Sequence, residues 1–202
     1  IDKLGNTIQV GGVGELVGDE AGGRYVSRKV IRACFDEIMR FGEKTSLTPI
    51  TLSLLENDDE SFLMEDIVLK YVSRKVDYNI LTIACFEEAN RGDKVAQKIL
   101  IDMADNLARS ASAAVVRLEL GEEPEVVLAG SVYVKGSCPL LIDEFKRKVN
   151  EYTKRKCKFK VLEVPPATGA IVWAYELATG SYPDYEKRLE LIEAVKEALD
   201  NK

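Results

Sequence analysis

Two glycine-bearing stretches hold the residue types that could do chemistry. The first runs Gly11-Gly12-Val13-Gly14, then Glu15-Leu16-Val17, then Gly18-Asp19-Glu20-Ala21-Gly22-Gly23, with six glycines between positions 11 and 23. So many glycines lose too much backbone entropy to make a regular element, so the stretch is a loop suited to close approach or positive φ. Bare backbone N–H groups ahead of a helix can hold an anion or a hydroxyl-rich ligand. Asp19 and Glu20 lie inside the loop, and carboxylates beside exposed backbone can accept hydrogen bonds from sugar hydroxyls. The same carboxylates could instead cap the helix that starts near Gly23. The stretch does not follow G-x-x-x-x-G-K-[ST], so it is not a P-loop. The second stretch is Ala129-Gly130-Ser131. A glycine at the carboxyl end of a buried strand is where nucleotides approach α/β sheets, and an ordinary strand-to-helix turn is the alternative.

Composition narrows the chemistry further. The 202 residues include no His, which excludes Ser-His-Asp and Cys-His catalysis and any His-ligated metal. Acid–base work falls to Asp, Glu, Lys, Tyr or Cys. The net charge is −6, and proteins that neutralise phosphates need a clustered basic face, so no nucleic-acid partner is expected. The densest basic stretch, Lys154-Arg155-Lys156-Cys157-Lys158, reads as a solvated helix end. The four cysteines, Cys34, Cys85, Cys138 and Cys157, form no C-x-x-C pair, so zinc and thioredoxin chemistry lack support. Cys34 and Cys85 sit in apolar helical runs as buried thiols, and a reducing, cytoplasmic setting is expected. No apolar run approaches the ~18 residues of a membrane span.

The elements that must position these stretches follow from periodicity. Asn6–Val10 is β-prone after the Gly5-Asn6 turn signal and is expected to form a hairpin arm. Tyr25–Phe41 carries apolar residues at 26, 30, 31, 34, 35, 38 and 39, the recurrence of an amphipathic helix closed by Gly42. Helices are expected over 47–55, with Pro49 in the first turn, and over 62–76, 78–90 and 94–120. The run 125–130 reads as a buried strand closing on Gly130, 131–137 as a loop, and 139–153 as a helix. A second strand is expected over 159–164, broken by Pro165-Pro166, then helices over 167–178 and 184–199. Strand, many helices, then strand-helix-strand-helix is an α/β order with a large helical insertion spanning roughly 24–122. The hexapeptide Tyr25–Val30 recurs unchanged as Tyr71–Val76. Two copies at unequal spacing make no solenoid, and two similar amphipathic helices explain them.

Four segments then resemble a known family. Val10 to Gly22 resembles the G-G-W-G-x-L-x-G-D-E-G-S segment of N-acetylglucosamine kinases and their relatives, within the actin-like ATPase superfamily that also holds hexokinase. Asn90-Arg91-Gly92-Asp93-Lys94-Val95-Ala96 looks like its A-x-x-G-D-x-x-A. Val127-Leu128-Ala129-Gly130-Ser131-Val132 resembles the V-L-A-G-G-V adenosine segment, and Pro165-Pro166-Ala167-Thr168-Gly169-Ala170 the closing P-P-x-x-G-A. The segments come in family order and reach to about Gly180.

The resemblance implies a ribonuclease H-like C-terminal lobe over 1–180, with an additional helix over 181–202. It implies an ATP-dependent kinase acting on a hexose or amino sugar, with ATP and Mg²⁺ as cofactors of the complete protein. Asp19 and Glu20 would meet sugar hydroxyls, Gly12 and Gly14 would shape that wall, and Gly130 and Ser131 would lie by the adenosine. The family's D-x-G-G-T and G-T-G-S phosphate motifs and its catalytic Asp do not occur in the chain, which begins at Ile1. A missing N-terminal lobe is therefore expected, no catalytic residue is assigned here, and the 202 residues alone are expected to be inactive. Val13 stands where the family has Trp, and Ser131 where it has a second glycine. The superfamily also holds activator ATPases that drive electrons into acyl-CoA dehydratases or benzoyl-CoA reductases. Those bind an iron–sulfur cluster through a C-A-A-G-T-G type segment, which is absent, leaving Cys138 as a lone cluster ligand or an incidental thiol. A degenerate sugar-sensing module is a third reading. Loss of a facing lobe would uncover Ala170, Ile171, Val172, Trp173, Tyr175 and Leu177, so a homodimer is expected.

Overall fold

The computed structural model of the protein describes residues 2–134, 136, 138–162 and 164–200. Expectations that touch Ile1, Lys135, Ser137, Glu163, Asn201 and Lys202 lie outside the described residues. The chain divides into two compact units.

The first unit comprises Ile1–Val126 and Lys135–Phe159 and is mainly helical. Helix α1 is Gly22–Met39, α2 Leu47–Leu54, α3 Leu63–Asp66, α4 Asn79–Arg91, α5 Lys94–Arg117 and α7 Pro139–Thr153. Helix α1 forms because Val26, Val30 and Cys34 recur every fourth residue, and that stripe is fully buried. Helix α5 repeats the device with Ala96, Leu100, Ala104 and Ala108, all fully buried. Small residues at Ala104, Ala108 and Ser112 let a neighbouring helix come close, and α5 packs most extensively on α7. The polar edge of that contact is stitched by Asp105. It accepts from the Tyr152 hydroxyl, from Arg109 Nε at 2.7 Å, and from Lys148 Nζ at 3.4 Å.

The corner between α4 and α5 shows how a short motif acts. Gly92 ends α4 at φ 98°, a left-handed conformation that glycine adopts without steric cost. Asp93 then caps α5 through Oδ1, accepting from the Ala96 amide at 2.8 Å. Its other oxygen accepts from the Ser46 amide at 2.8 Å and the Thr45 hydroxyl at 2.9 Å, just before α2. Burial pushes the Asp93 pKa up, but the amides of Ala96 and Ser46 and the two hydroxyls outweigh it and hold the carboxyl below its ordinary value. One carboxylate thus seats two helices.

The second unit comprises Val127–Val134 and Lys160–Lys202. It contains α6 Ser131–Val134, α8 Ala167–Thr179 and α9 Tyr185–Asp200. Leu128, Tyr133 and Thr168 are buried, whereas Ile171, Trp173 and Leu177 on α8 are 42%, 65% and 73% exposed. Helix α9 packs on α8, with Lys187 Nζ 5.9 Å from the Tyr175 ring centroid.

Strands β1 Glu125–Leu128 and β2 Lys158–Val161 pair in parallel, with Lys158 N donating to Pro124 O at 2.9 Å and Leu162 N to Leu128 O at 2.8 Å. A largely helical chain with a small parallel sheet is an α/β arrangement in its coarse form. Four local expectations are corrected. Residues 6–10 form no strand, because among the described residues no neighbouring strand satisfies their backbone. Strand β1 is not fully buried, since Val127 is 51% exposed and only Leu128 of its residues is buried. The expected loop after Gly130 opens as the short helix α6, whose first turn closes on the Gly130 carbonyl through Tyr133 N at 3.1 Å and Val134 N at 3.2 Å.

The fourth correction concerns the expected helix over 62–76. It is a 3₁₀ turn Glu60–Phe62, then α3, then a π-helical run Ile67–Val72, and it stops before Arg74, at φ 56°. The repeated hexapeptide therefore takes two conformations. Its first copy lies within α1 and its second spans the end of the π turn, and the copies touch where Ser27 Oγ and Tyr71 Oη share a hydrogen bond of 2.7 Å.

Because Asp93 serves α2 and α5 together, Asp93→Ala is expected to cost about 1–2 kcal/mol, the upper part of the range for losing an N-cap. Urea unfolding followed by circular dichroism measures it, and an unchanged midpoint would contradict the double-cap role.

Candidate functional site

The glycine-rich loop is exposed along 12–19, and its shape comes from its own polar groups. A 3₁₀ turn, Glu15–Val17, folds the centre, closed by Val17 N to Gly14 O at 3.1 Å and Gly18 N to Glu15 O at 3.1 Å. The Asp19 carboxylate reaches back across this turn. It accepts from the Gly12 amide at 2.8 Å (Oδ1) and 2.7 Å (Oδ2), and from the Gly14 amide at 2.6 Å (Oδ2). The Gly12 amide first, then that of Gly14, hold the Asp19 carboxyl below its ordinary range, against a smaller upward push from desolvation. Gly11 is required by contact as well as by conformation: at φ 98°, a Cβ there would lie 2.3 Å from Asp19 Oδ1.

Three side chains outside the glycine run hold the loop from without. Arg28 on α1 forms an ion pair with Glu15. Gln9 Nε2 donates to the Gly11 carbonyl at 2.9 Å. Asn106 on α5 donates through Nδ2 to Glu20 Oε2 at 3.3 Å. Tyr25 joins this last group. Burial, followed by the charges of Asp102 and Glu20, pushes its phenol up to about 12, while its bond to Asn106 works the other way. At the start of α1, Gly23 O accepts from Thr82 Oγ1 of α4 at 2.9 Å.

The residues singled out in the sequence are thus distributed as follows. Gly12, Gly14 and Asp19 come together in one hydrogen-bonded unit. Glu20 points away from them to Asn106. Neither carboxylate caps α1, whose N-cap is Ala21, extended and without a side-chain cap bond. The capping alternative is therefore corrected: Asp19 is already engaged by the loop amides and Glu20 by α5. Gly130 and Ser131 lie in the second unit, both exposed, at the carboxyl end of β1, with Gly130 at φ 118°. Nothing lies within 4 Å of where a Gly130 Cβ would sit.

Gln9, Arg28 and Asn106 were not singled out in the sequence. Asn106 is 86 positions from Glu20, and no local pattern marks it among the polar residues of α5. The cysteines behave as buried thiols. Burial pushes Cys34 up to about 11 and Cys85 up to about 12. Cys138 is 4% exposed and unpaired, which gives no support to its use as an outward-facing cluster ligand.

Asp19 and the two glycine amides should titrate as one unit. A depressed carboxyl contributes to loop stability in full above its unfolded pKa, and the contribution is lost as pH falls through the folded value. The Gly12 and Gly14 amide proton resonances are expected to move together in a two-dimensional NMR titration, with one midpoint below the ordinary aspartate value. Separate midpoints, or one at the ordinary value, would exclude the coupling.

No protein-family model matches the sequence. Over 173 residues the chain is 30% identical to the N-acetylmuramic acid/N-acetylglucosamine kinase of Clostridium acetobutylicum, covering 86% of this chain and 56% of that protein. Over 144 residues it is 28% identical to the N-acetyl-D-glucosamine kinase of Dictyostelium discoideum, covering 70% of this chain and 44% of that protein. The chain spans about half the length of the curated relatives it matches. No helix among the described residues is long and apolar enough to cross a membrane.

Proposed function

We propose that this chain is one lobe of an ATP-dependent amino-sugar kinase of the ribonuclease H-like, actin-related type, with the helices α1–α5 inserted into that lobe. The observation that carries the reading is the similarity to two amino-sugar kinases over most of the chain. The loop 11–20 is the sugar-facing wall, with Gly12, Gly14, Asp19 and Glu20 upon it. Its exposure supports this part, since a wall residue of an open cleft is free on one side. Gly130 and Ser131 receive the adenosine, supported by the open backbone at Gly130.

ATP supplies the γ-phosphoryl group, and Mg²⁺ neutralises the charge on it during in-line transfer. This chain contributes binding and orientation: the loop fixes the sugar so that one hydroxyl faces the phosphoryl group. No cluster of three Asp, Glu or Cys side chains gathers among the described residues, so in this reading Mg²⁺ is held by the nucleotide and by the facing lobe. That lobe, outside these 202 residues, supplies the base and the phosphate-binding turns.

The 202-residue chain is expected to give no sugar phosphate from ATP in a coupled assay. Completed by a facing lobe, the chain is expected to phosphorylate an N-acetylated amino sugar. ATP hydrolysis by that assembly that no sugar accelerates would overturn the kinase reading.

Trp173 and Leu177, four positions apart on one face of α8 and largely exposed, form the kind of apolar surface that finds a partner. The isolated chain is expected to dimerise through them. Sedimentation velocity should show a concentration-dependent shift that Trp173→Ser removes, and a sharp monomer at high concentration would count against it.

A further inference from the structure

The sugar-facing loop is unusual in having its most polar side chain turned inward. Among residues 12–19 there is no buried side chain, so apolar packing does not decide this loop's shape. The Gly12 and Gly14 amides converge on a single point, and the backbone reaches that geometry through φ values of 93° and 100°. Successive N–H groups gathered in this way make an anion-binding concavity. In this chain the anion at its centre is the protein's own.

We propose that the Gly12–Gly14 backbone is an anion nest, that Asp19 is its resident anion, and that this anion sets the shape of the loop.

Three observations carry this. Both Asp19 oxygens are engaged by amides, with the Gly12 N–H shared between them. Gly11 leaves room for Oδ1 that no side chain could share, since a Cβ would approach to 2.3 Å. The remaining supports hold the outside of the loop, at Gln9, Glu15 and Glu20, and none reaches the amides of Gly12 and Gly14. Without the carboxylate those amides turn to water, and the turn between Gly11 and Asp19 loses its centre. A charge-assisted hydrogen bond is stronger than a neutral one, so Asn, whose one acceptor oxygen can still take both amides at the Oδ2 position, holds them less firmly and sets an NH₂ beside the Gly12 N–H.

The nest does not rest on the kinase reading, and the experiment uses neither sugar nor nucleotide. Amide hydrogen exchange is measured by NMR on the 202-residue chain, unmodified and as Asp19→Ala and Asp19→Asn. In Asp19→Ala the Gly12 and Gly14 amides are expected to exchange about tenfold faster or more, the change that loss of a charged hydrogen bond implies, and in Asp19→Asn by less, since neutral bonds can still form. The Gly92 amide, bonded to Ala89 O in a distant corner, should keep its rate and so report that the fold is intact.

Sodium formate, a carboxylate small enough to enter the vacated nest, should restore protection in Asp19→Ala with saturation. Formamide, of the same shape without the charge, and sodium chloride at equal ionic strength should not. A side chain needed only for packing would not be replaced by a free anion. Unchanged exchange at Gly12 and Gly14 in Asp19→Ala overturns the proposal, as does rescue by formamide equal to that by formate, or no rescue by formate at saturation. A chain that phosphorylates no sugar leaves this result standing, so the two readings fail separately.

Discussion

Burial of one stripe of the 24-residue helix α5 is the constraint on which the rest of the first unit depends. Ala96, Leu100, Met103, Ala104 and Ala108 are all removed from solvent. At roughly 25 cal/mol per Å² of apolar surface, such a stripe is the largest kind of favourable term available to a helix of this length. Helices α1, α4 and α7 all pack against it. Its polar residues do the remaining positioning. Asp93 at its start seats α2, Asn106 near its middle meets Glu20, and the adjacent Asp105 ties down α7.

This arrangement explains how an exposed loop can have a definite place without a core of its own. The loop is attached from outside and folded from within. From outside, Arg28 and Asn106 belong to packed helices and reach Glu15 at its centre and Glu20 near its end through an ion pair and a hydrogen bond. From within, the Asp19 carboxylate gathers the glycine amides. Exposed ion pairs contribute little to global stability. Their effect here is local, selecting one loop conformation among the many open to a glycine-rich chain. On the reading proposed above, a loop held in one conformation spares a ligand the cost of ordering it.

The two units differ in how well each is packed. The first unit has a continuous buried core, whereas in the second, α8 leaves Trp173 and Leu177 largely exposed. A helix rich in apolar residues with little burial is the kind of surface that finds a partner.

Some of the protein was legible in the residues alone. Helix positions followed from the spacing of buried side chains: Val26, Val30 and Cys34 in α1, and the α7 bounds at Pro139 and Thr153, need only the period of the helix and a proline tolerated in the first turn. Gly92 and Asp93 fell between two expected helices, where the structure makes them a left-handed glycine and a capping aspartate, a local arrangement. The glycine count of the loop excluded regular structure, again a property of the backbone itself. What required the tertiary structure was every choice among partners. Asp19 had a helix and a ligand open to it in the sequence, and only the folded path of the chain brought the Gly12 and Gly14 amides to its oxygens. Residues 6–10 had the composition of a strand, but a strand needs a neighbour and none is there among the described residues. Asn106 could not be told from other polar helix residues until a loop 86 positions away came to rest against it. Local periodicity is written in adjacent residues, whereas hydrogen-bond partners are assigned by what the packed core carries into reach.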